Sequence, residues 1–449
     1  MTATDSTAPP IIIQGAEVLL PSGELARKEV AIANGKITAV GTGLEVPAGT
    51  RTVRGNGLTL LPGVIDPHIY IGSPGPTSLA DLYSTTCACA KGGVTSFLAM
   101  PNPPAFTTTK TVLTDKLAIA AQQSIVNYGF FTEAYSHTSP DITGSAPGSI
   151  VFLGNGTSAG GPPTSALSER VLSEPALSAF IEGEGLMAIH PYSPCYTSKQ
   201  TQTLLEEQIQ ASAAQHHSDK VALQTTQLAL NLAKQYQRRV HILSVSTEEE
   251  AELLRRDKPS WVSAEVTPQH LLLDISASQY IGTFAKEDPS LQRPRDRVLL
   301  WQALLDGIID FVATSHTPQT LASKAQNYAD APAGMPGVET TLPLMLTQAK
   351  QNRCTIAQVS HWLSSAVAHA YQIPNKGLIE PGYDADLVLV DLTTYRPVRR
   401  EELQGHCGWS PFEGWNLTGW PVITMVGGQI VYERGELHTD VRGQALQFG

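Results

Sequence analysis

Short apolar runs alternate with helical patterns through the middle of this chain, and the alternation limits the folds open to it. Strand-like runs occupy residues 95–100, 186–191, 239–246, 261–268 and 310–318. Between two of them, residues 221–238 carry helix-forming side chains with apolar positions three and four apart. Repeated strand–helix units build a parallel sheet, and 449 residues provide enough of them for a closed barrel. We therefore predict an α/β fold, a TIM-type (β/α)8 barrel.

Two β-rich segments flank the predicted barrel. Residues 11–60 contain short alternating runs separated by glycine turns, and Asn34-Gly35 is a two-residue turn typical of hairpins. Similar runs return at residues 384–392 and 423–437. We predict one small β-sandwich built from both ends of the chain. The expected organisation is a disordered tail over 1–10, sandwich strands over 11–60, the barrel over 61–379, and further sandwich strands with a returning segment over 380–449.

The composition excludes several kinds of partner. A net charge of −11 is unfavourable for binding nucleic acid or anionic membrane surfaces, because both require basic patches. No apolar run approaches the ~20 residues of a membrane span, and the first residues lack the pattern of a signal peptide. The five cysteines are scattered, which favours reduced thiols over disulfides. We expect a cytoplasmic protein without nucleic acid or membrane partners.

Three long motifs point to a family. Residues 60–70 (LLPGVIDPHIY), 334–346 (GMPGVETTLPLML) and 407–422 (CGWSPFEGWNLTGWPV) resemble the dihydroorotases of the cyclic amidohydrolase superfamily, especially the bacterial, cyanobacterial-type ones. The resemblance covers nearly the whole chain. It implies a barrel with a β-sandwich made by the two termini, a pair of zinc ions at the barrel mouth, and the ring-opening hydrolysis of dihydroorotate in pyrimidine biosynthesis.

The resemblance also shows where the zinc ligands should stand, and several are replaced. Family members end the first barrel strand in two histidines, which match His68 and Tyr70 here. A phenol with a pKa near 10 is a poor zinc ligand at neutral pH. The anionic bridge between the two ions, a carbamylated lysine or an aspartate, falls at Ile150 or near Gly154 and Asn155. No bridging anion is therefore expected.

The remaining ligand positions follow the same trend. The family's next histidine is kept as His190, but the one after it matches Ser244, and the aspartate that acts as ligand and general acid/base matches Ser315. A catalytic zinc site normally needs three protein ligands and a water. We therefore predict no bound metal and no other cofactor, with His68 and His190 as vestigial pocket residues or as histidines bonded to the backbone.

The substrate side of the pocket is altered as well. The arginine that holds the substrate carboxylate in the family matches Gly72, whereas its companion asparagine is kept as Asn102. A later asparagine and arginine match Asp288 and Gln292. Because a guanidinium gives a carboxylate two charge-assisted hydrogen bonds, these replacements remove the basis for holding an anionic substrate.

Other conspicuous residues have a structural interpretation beside the functional one. His241, in the middle of a strand, and His270, in a turn, are better explained as core histidines than as ligands. Trp409, Trp415 and Trp420 form either an interaction surface, since exposed aromatics mark interfaces, or the packing of the returning C-terminal segment. Packing is the favoured interpretation.

These observations predict a dihydroorotase-like protein with no catalytic residues, and hence a structural or regulatory role. Its partners would be further copies of itself and, by analogy with inactive homologues, aspartate transcarbamoylase. Two alternatives stay open: an active or repurposed cyclic amidohydrolase, and a barrel that binds a small molecule in the old pocket. The vestigial pocket is predicted to contain His68, Tyr70, Asn102, His190, Tyr192, Ser244, Asp288, Ser315 and His316.

Overall fold

The computed structural model describes residues 9–71, 78–101, 107, 109–133, 144–152, 185–190, 210–328 and 330–449. Its strands are, in chain order, β1 (Ile11–Gln14), β2 (Glu17–Leu19), β3 (Leu25–Arg27), β4 (Glu29–Ala33), β5 (Lys36–Gly41), β6 (Arg51–Arg54), β7 (Thr59–Pro62), β8 (Val64–Ile69), β9 (Val94–Ala99), β10 (Asn127–Phe130), β11 (Thr132–Glu133), β12 (Ser149–Phe152), β13 (Met187–His190), β14 (Val240–Ile242), β15 (Val262–Val266), β16 (Phe311–Val312), β17 (Leu387–Asp391), β18 (Arg396–Pro397), β19 (Asn416–Leu417), β20 (Trp420–Val426), β21 (Gln429–Glu433) and β22 (Glu436–Leu437).

Helices occupy the connections between the barrel strands and the turn back to the sandwich. The α-helices span Ser78–Lys91, Lys110–Gln123, Gln210–Tyr236, Glu248–Asp257, Pro268–Leu272, Ser278–Ile281, Pro294–Leu305, Leu321–Lys324, Thr341–Lys350, Ile356–Ser360 and Ala366–Ala370. Shorter helical turns span Ile275–Ala277, Gly282–Ala285, His361–Ser365 and Arg400–Glu402.

The barrel prediction is confirmed by the strand pairing. Strands β8, β9 and β10 form one parallel ladder, and β11 to β16 form a second ladder in sequence order. Only Phe131 separates β10 from β11, and its amide extends the pairing with β9 by donating to the carbonyl of Ala99 at 2.9 Å, so the two ladders are continuous through the chain. The ring closes through two backbone hydrogen bonds. The N–H of His316 donates to the carbonyl of His68 at 3.2 Å, and the N–H of Tyr70 donates to the carbonyl of His316 at 2.8 Å. Strand order around the ring is therefore the order in the chain.

The sandwich is built from both ends of the chain, as the sequence predicted. One sheet has the order β5-β4-β1-β6, and the other has the order β22-β21-β20-β17-β7-β2-β3. Within the second sheet, β7 from the N-terminal half pairs with β17 from the C-terminal half. Buried aliphatic side chains such as Ile13, Leu60 and Leu387 fill the space between the sheets.

A single glycine joins the sandwich to the barrel. Gly63 stands between the end of β7 at Pro62 and the start of β8 at Val64. A Cβ atom at this position would lie 2.2 Å from the hydroxyl oxygen of Thr95, which is impossible without moving β9. The absence of a side chain at Gly63 thus allows the first barrel strand to follow the sandwich directly.

The last residues of the chain, 443–449, form what we call the C-terminal tail. The backbone N–H of Leu446 donates to the carbonyl of Tyr128 at 2.8 Å, and the backbone N–H of Tyr128 donates to the carbonyl of Gln444 at 3.0 Å. The tail therefore pairs with β10. The tail lies along the edge of β10 that faces away from β9. The pairing of β11 with β12 starts further along the chain, at Thr132. Leu446 is buried in the cluster that fills the barrel interior. The C-terminal tail therefore supplies an extra edge strand and part of the core.

Two further expectations concern packing. Cys87, Cys89 and Cys407 are buried free thiols. Trp409 and Trp420 are buried, and their indole N–H groups donate to backbone carbonyls at 2.7 and 3.0 Å, which matches the packing interpretation. In the parts of the chain described, no helix is long and apolar enough to cross a membrane.

Candidate functional site

Four histidines and one glutamate come together where the barrel strands end. His68 lies in β8, His190 ends β13, His241 lies in β14, Glu265 lies in β15 and His316 follows β16. All five side chains are buried. Because the carboxyl ends of parallel strands meet at one end of a barrel, residues far apart in sequence become neighbours there. This mouth is the candidate functional site.

His68 is held by a hydrogen bond to Glu265. Its Nδ1 lies 2.6 Å from Glu265 Oε1, and both side chains are fully inaccessible to solvent. An ionised carboxylate can only accept a hydrogen bond, so Nδ1 carries the proton. The other ring nitrogen, Nε2, is buried and has no hydrogen-bond partner among the described residues. His68 therefore turns one fixed, unused nitrogen towards the mouth.

His241 uses both of its nitrogens. Nε2 lies 3.1 Å from Glu265 Oε2, and Nδ1 lies 2.8 Å from the hydroxyl of Ser263. Its ring stacks on Phe311 with centroids 4.8 Å apart. His241 is thus a satisfied core histidine that orients Glu265.

Glu265 is the centre of this arrangement, although no motif in the sequence points to it. Burial alone would raise the pKa of its carboxyl, but the electrostatic interactions and hydrogen bonds with His68 and His241 lower it to about 2. The carboxylate is therefore ionised and bonded on both oxygens. The signal available in the sequence was an acidic residue within the otherwise apolar strand of residues 261–268.

Asp66, two residues before His68, is also fully engaged. Oδ1 accepts the backbone N–H of Thr314 at 3.1 Å, and Oδ2 accepts the Thr314 hydroxyl at 2.5 Å. Burial raises the pKa of this carboxyl to about 6, although the hydrogen bonds from Thr314 and His68 oppose the rise. These contacts fasten β8 to the segment after β16, and they leave Asp66 little freedom to act on a ligand.

The four residues expected in place of zinc ligands lie around this core. Tyr70 is buried with its ring centroid 5.5 Å from that of His68. Ile150, in β12, is fully buried in the barrel interior. Ser244 and Ser315 are buried and hold positive backbone φ angles of 51° and 49°. Such a conformation is strained for a residue with a Cβ and persists only where the surroundings impose it.

The other predicted pocket residues have mixed outcomes. The ring of His190 meets that of His68 edge-on with centroids 5.9 Å apart. His316 accepts the N–H of Gly337 through Nδ1 at 3.1 Å, and burial lowers its pKa to about 3, so the ring is neutral. Asn102 and Tyr192 lie outside the described residues.

Two adjacent acids form a second feature of the mouth. Glu287 is buried, and Asp288 is partly exposed, yet Oε2 of Glu287 and Oδ2 of Asp288 are buried atoms without a hydrogen-bond partner in the described structure. Burial raises the pKa of both carboxyls, and the charge of Glu287 raises that of Asp288 further. The sequence pointed to Asp288 alone. The electrostatic interaction with Glu287 arises only because both carboxyls are buried in the folded protein.

The described residues do not fit the family's pair of zinc ions. Among them, no group of three or more His, Cys, Asp or Glu side chains is arranged to hold a metal ion. His68 could offer Nε2 to a metal ion, but Glu265 and His241 are hydrogen-bonded to each other and so are not free to act as ligands. The absence of metal stays a prediction.

Comparisons with known proteins match nearly the whole chain. A family model described as the amidohydrolase family matches residues 59–431. The dihydroorotase of Methanosarcina acetivorans is 30% identical over 446 residues, which cover 93% of this chain and 91% of that protein. The dihydroorotase of Geobacillus thermodenitrificans is 31% identical over 432 residues, covering 92% and 96%. Among solved structures, the L-hydantoinase (dihydropyrimidinase) from Arthrobacter aurescens is similar with a TM-score of 0.84 and 25% identity, covering 97% of this chain and 99% of that one.

Proposed function

Because this chain belongs to the amidohydrolase family and has dihydroorotases as relatives, we propose that it is a dihydroorotase-like protein that lacks the zinc pair and does not hydrolyse dihydroorotate. Its role is then structural or regulatory. The single observation that carries the proposal is the set of side chains at the ligand positions, which are a phenol, an aliphatic group and two hydroxyls.

The charge balance of a zinc pair supports this proposal. Two divalent ions a few ångströms apart repel each other and need a bridging anion between them. At the position that the resemblance assigns to this bridge stands Ile150, which is fully buried and uncharged. Neither Ser244 nor Ser315 supplies negative charge at neutral pH.

The requirement for proton transfer also supports it. Ring opening of a cyclic amide needs an activated water and a group that moves a proton, and a hydroxyl at Ser315 cannot replace a carboxylate in that role. Asp66 has a pKa in a suitable range, but Thr314 occupies both of its oxygens. Glu265 is committed to His68 and His241 in the same way.

Metal analysis and enzyme assays test the proposal together. Protein purified with added zinc should hold well below one equivalent, and it should turn over neither dihydroorotate nor carbamoyl aspartate above background. The dihydroorotase of Geobacillus thermodenitrificans, purified and assayed in parallel, is the positive control. About two zinc ions per chain together with measurable turnover, or rescue of a pyrimidine auxotroph, would overturn the proposal.

For the biological role, we propose assembly with other chains: further copies of this protein and aspartate transcarbamoylase. Inactive homologues in this family associate in these ways, which is support by analogy only. Sedimentation of the protein alone and mixed with aspartate transcarbamoylase from the same organism separates the two. A monomer that does not alter the sedimentation of the transcarbamoylase would refute both.

A further inference from the structure

Three hydrogen-bond acceptors at the barrel mouth are buried and unused. They are Nε2 of His68, Oε2 of Glu287 and Oδ2 of Asp288, none of which has a partner among the described residues. His68 is wholly inaccessible, and Glu287 is 5% exposed. Leaving a buried acceptor unsatisfied is unfavourable, so a cluster of them indicates a place where a donor binds.

Hydrogen bonds link the residues that carry the three acceptors. Gln269 donates from its amide to the carbonyl of Thr314 at 2.9 Å, and Thr314 is bonded to the strand that carries His68. The side chain of Gln269 also hydrogen-bonds to the carboxyl of Glu287, which lies within electrostatic range of the His68 ring. The loop that carries the two acids is fixed by His270, which donates to the carbonyl of Pro289 at 3.0 Å.

Nearby cations do not satisfy these acceptors. Lys324 is fully buried and interacts with Glu287 through charge, but its ammonium donates to the carbonyls of Lys286, Pro332 and Gly334 at 3.0, 3.1 and 3.1 Å. A lysine ammonium has three protons, and all three are used in these bonds. Burial raises the pKa of both carboxyls, and a cation bound beside them would favour their ionised, acceptor form.

We propose that the barrel mouth binds a small organic cation with N–H donors, an amidinium or a primary ammonium, held by Glu287, Asp288 and the Nε2 of His68. A planar amidinium presents two parallel N–H groups and suits a carboxylate in the same bidentate way as arginine. This preference is opposite to that of a pocket for a carboxylate. The inference rests on the proposed function in one respect, namely that no metal occupies His68 Nε2.

Ligands of one shape and three charges test the proposal. Benzamidinium, benzamide and benzoate share a ring and a planar head group, and acetamidinium, acetamide and acetate repeat the comparison at a smaller size. Calorimetric titration of the full-length protein in the presence of a chelator should show at least tenfold tighter binding of one or both amidinium ions than of the matched carboxylates. The neutral amides should fall between them.

Two variants locate the binding. Glu287→Gln and Asp288→Asn should each weaken amidinium binding at least tenfold, whereas Glu436→Gln and Asp440→Asn, on exposed residues, should leave it unchanged. Circular dichroism without ligand establishes that each variant is folded, and if one is not, the other decides. Binding of the carboxylates as tight as that of the amidinium ions, no amidinium binding at all, or binding of Zn²⁺ or Mg²⁺ alone at these acids would overturn the proposal.

The same design separates this inference from the proposed function. Turnover of dihydroorotate by zinc-loaded protein would overturn the proposed function. Titration of the chelated protein reports on cation binding by itself, and a negative result there leaves the loss of hydrolase activity standing.

Discussion

Glu265 shows how one buried side chain can organise a site. It accepts hydrogen bonds from two histidines, 2.6 Å from His68 and 3.1 Å from His241, in a place without access to solvent. Removing one partner of such a buried pair costs more than the pair contributes, because the remaining groups are left unsatisfied. The stability of the mouth therefore depends on this one carboxylate.

We expect Glu265→Ala to lower the free energy of unfolding by about 3 kcal/mol, since it leaves two buried imidazoles without their acceptor. Glu265→Gln is the matched control. Its amide oxygen can still accept from His68, and its amide nitrogen can donate to a His241 ring that has moved its proton to the nitrogen facing Ser263. Chemical denaturation measures both, and an equal loss in the two variants would contradict the assigned role.

His270 gives a prediction about pH. Burial lowers its pKa from 6.5 to about 4, so the folded protein keeps the ring neutral while the unfolded chain takes up a proton below pH 6.5. Stability should therefore fall as pH decreases from 6.5 to 4, by at most ~1.4 kcal/mol per pH unit from this residue. His270→Gln should reduce that slope, and His406→Gln, at an exposed position, should not. Urea denaturation at several pH values measures the slopes, and identical slopes in the wild type and His270→Gln would show that this residue does not contribute.

The C-terminal tail is the element whose role is easiest to test. Leu446 is buried in the barrel interior, whereas Gln447 beside it is exposed. Leu446→Ala should lower the free energy of unfolding by roughly 3 kcal/mol, the usual cost of truncating a buried leucine, and Gln447→Ala should change it little.

Hydrogen exchange gives an independent measure of the same element. Deleting residues 444–449 should speed exchange of the Tyr128 amide, whose acceptor is the carbonyl of Gln444. The amide of Val64, bonded to Gly93 elsewhere in the barrel, should be unaffected. If Tyr128 stays protected after the deletion, the tail is not the strand that covers β10.

Elements with local patterns were predictable from the sequence, and those made by distant pairing were not. The alternation of strand and helix predicted the barrel, and the glycine-separated runs predicted the sandwich. Nothing near residues 444–449 indicates a strand, because the partner is at Tyr128 and pairing is decided by long-range contacts. The strand-like run of residues 310–318 did indicate β16, but the strand itself is only two residues long, Phe311–Val312.

The site divides in the same way. His68, Tyr70 and Ser315 were found because they stand in motifs that resemble a family. Glu265 was missed because its importance depends on His68, which is 197 residues away in sequence. The left-handed backbone at Ser244 and Ser315 was equally hidden, since serine does not favour that conformation and only the surrounding barrel imposes it.

At the scale of the whole molecule, loss of activity is expected to be layered. Tyr70→His alone should restore no turnover of dihydroorotate, because the bridging anion, another ligand and the acid/base would still be absent. Residues that act as one catalytic unit contribute non-additively, so partial repair returns almost nothing. A fuller repair would combine Tyr70→His, Ile150→Lys, Ser244→His and Ser315→Asp, and then add Gly72→Arg and Gln292→Arg for the substrate carboxylate.

Steady-state assays and zinc analysis of these variants measure the outcome. Tyr70→Phe is the control, because it changes the same ring without adding a ligand. The four-residue repair should gain zinc before it gains efficient catalysis, and Lys at the buried position 150 should destabilise the metal-free protein. Turnover well above background from Tyr70→His by itself would show that the other ligand positions are assigned wrongly.

The pairing of the two ends has a consequence for how the protein is made. A ribosome synthesises the N-terminal strands first, at ~5–20 residues per second, but β7 pairs with β17, and Asn127 meets Gln444 across 317 residues of sequence. Both the sandwich and the edge of the barrel beside β10 therefore wait for segments that emerge late. During translation the nascent chain exposes unpaired apolar strands, so its dependence on chaperones should be greatest before residue 387 emerges and should fall once the C-terminal tail is available.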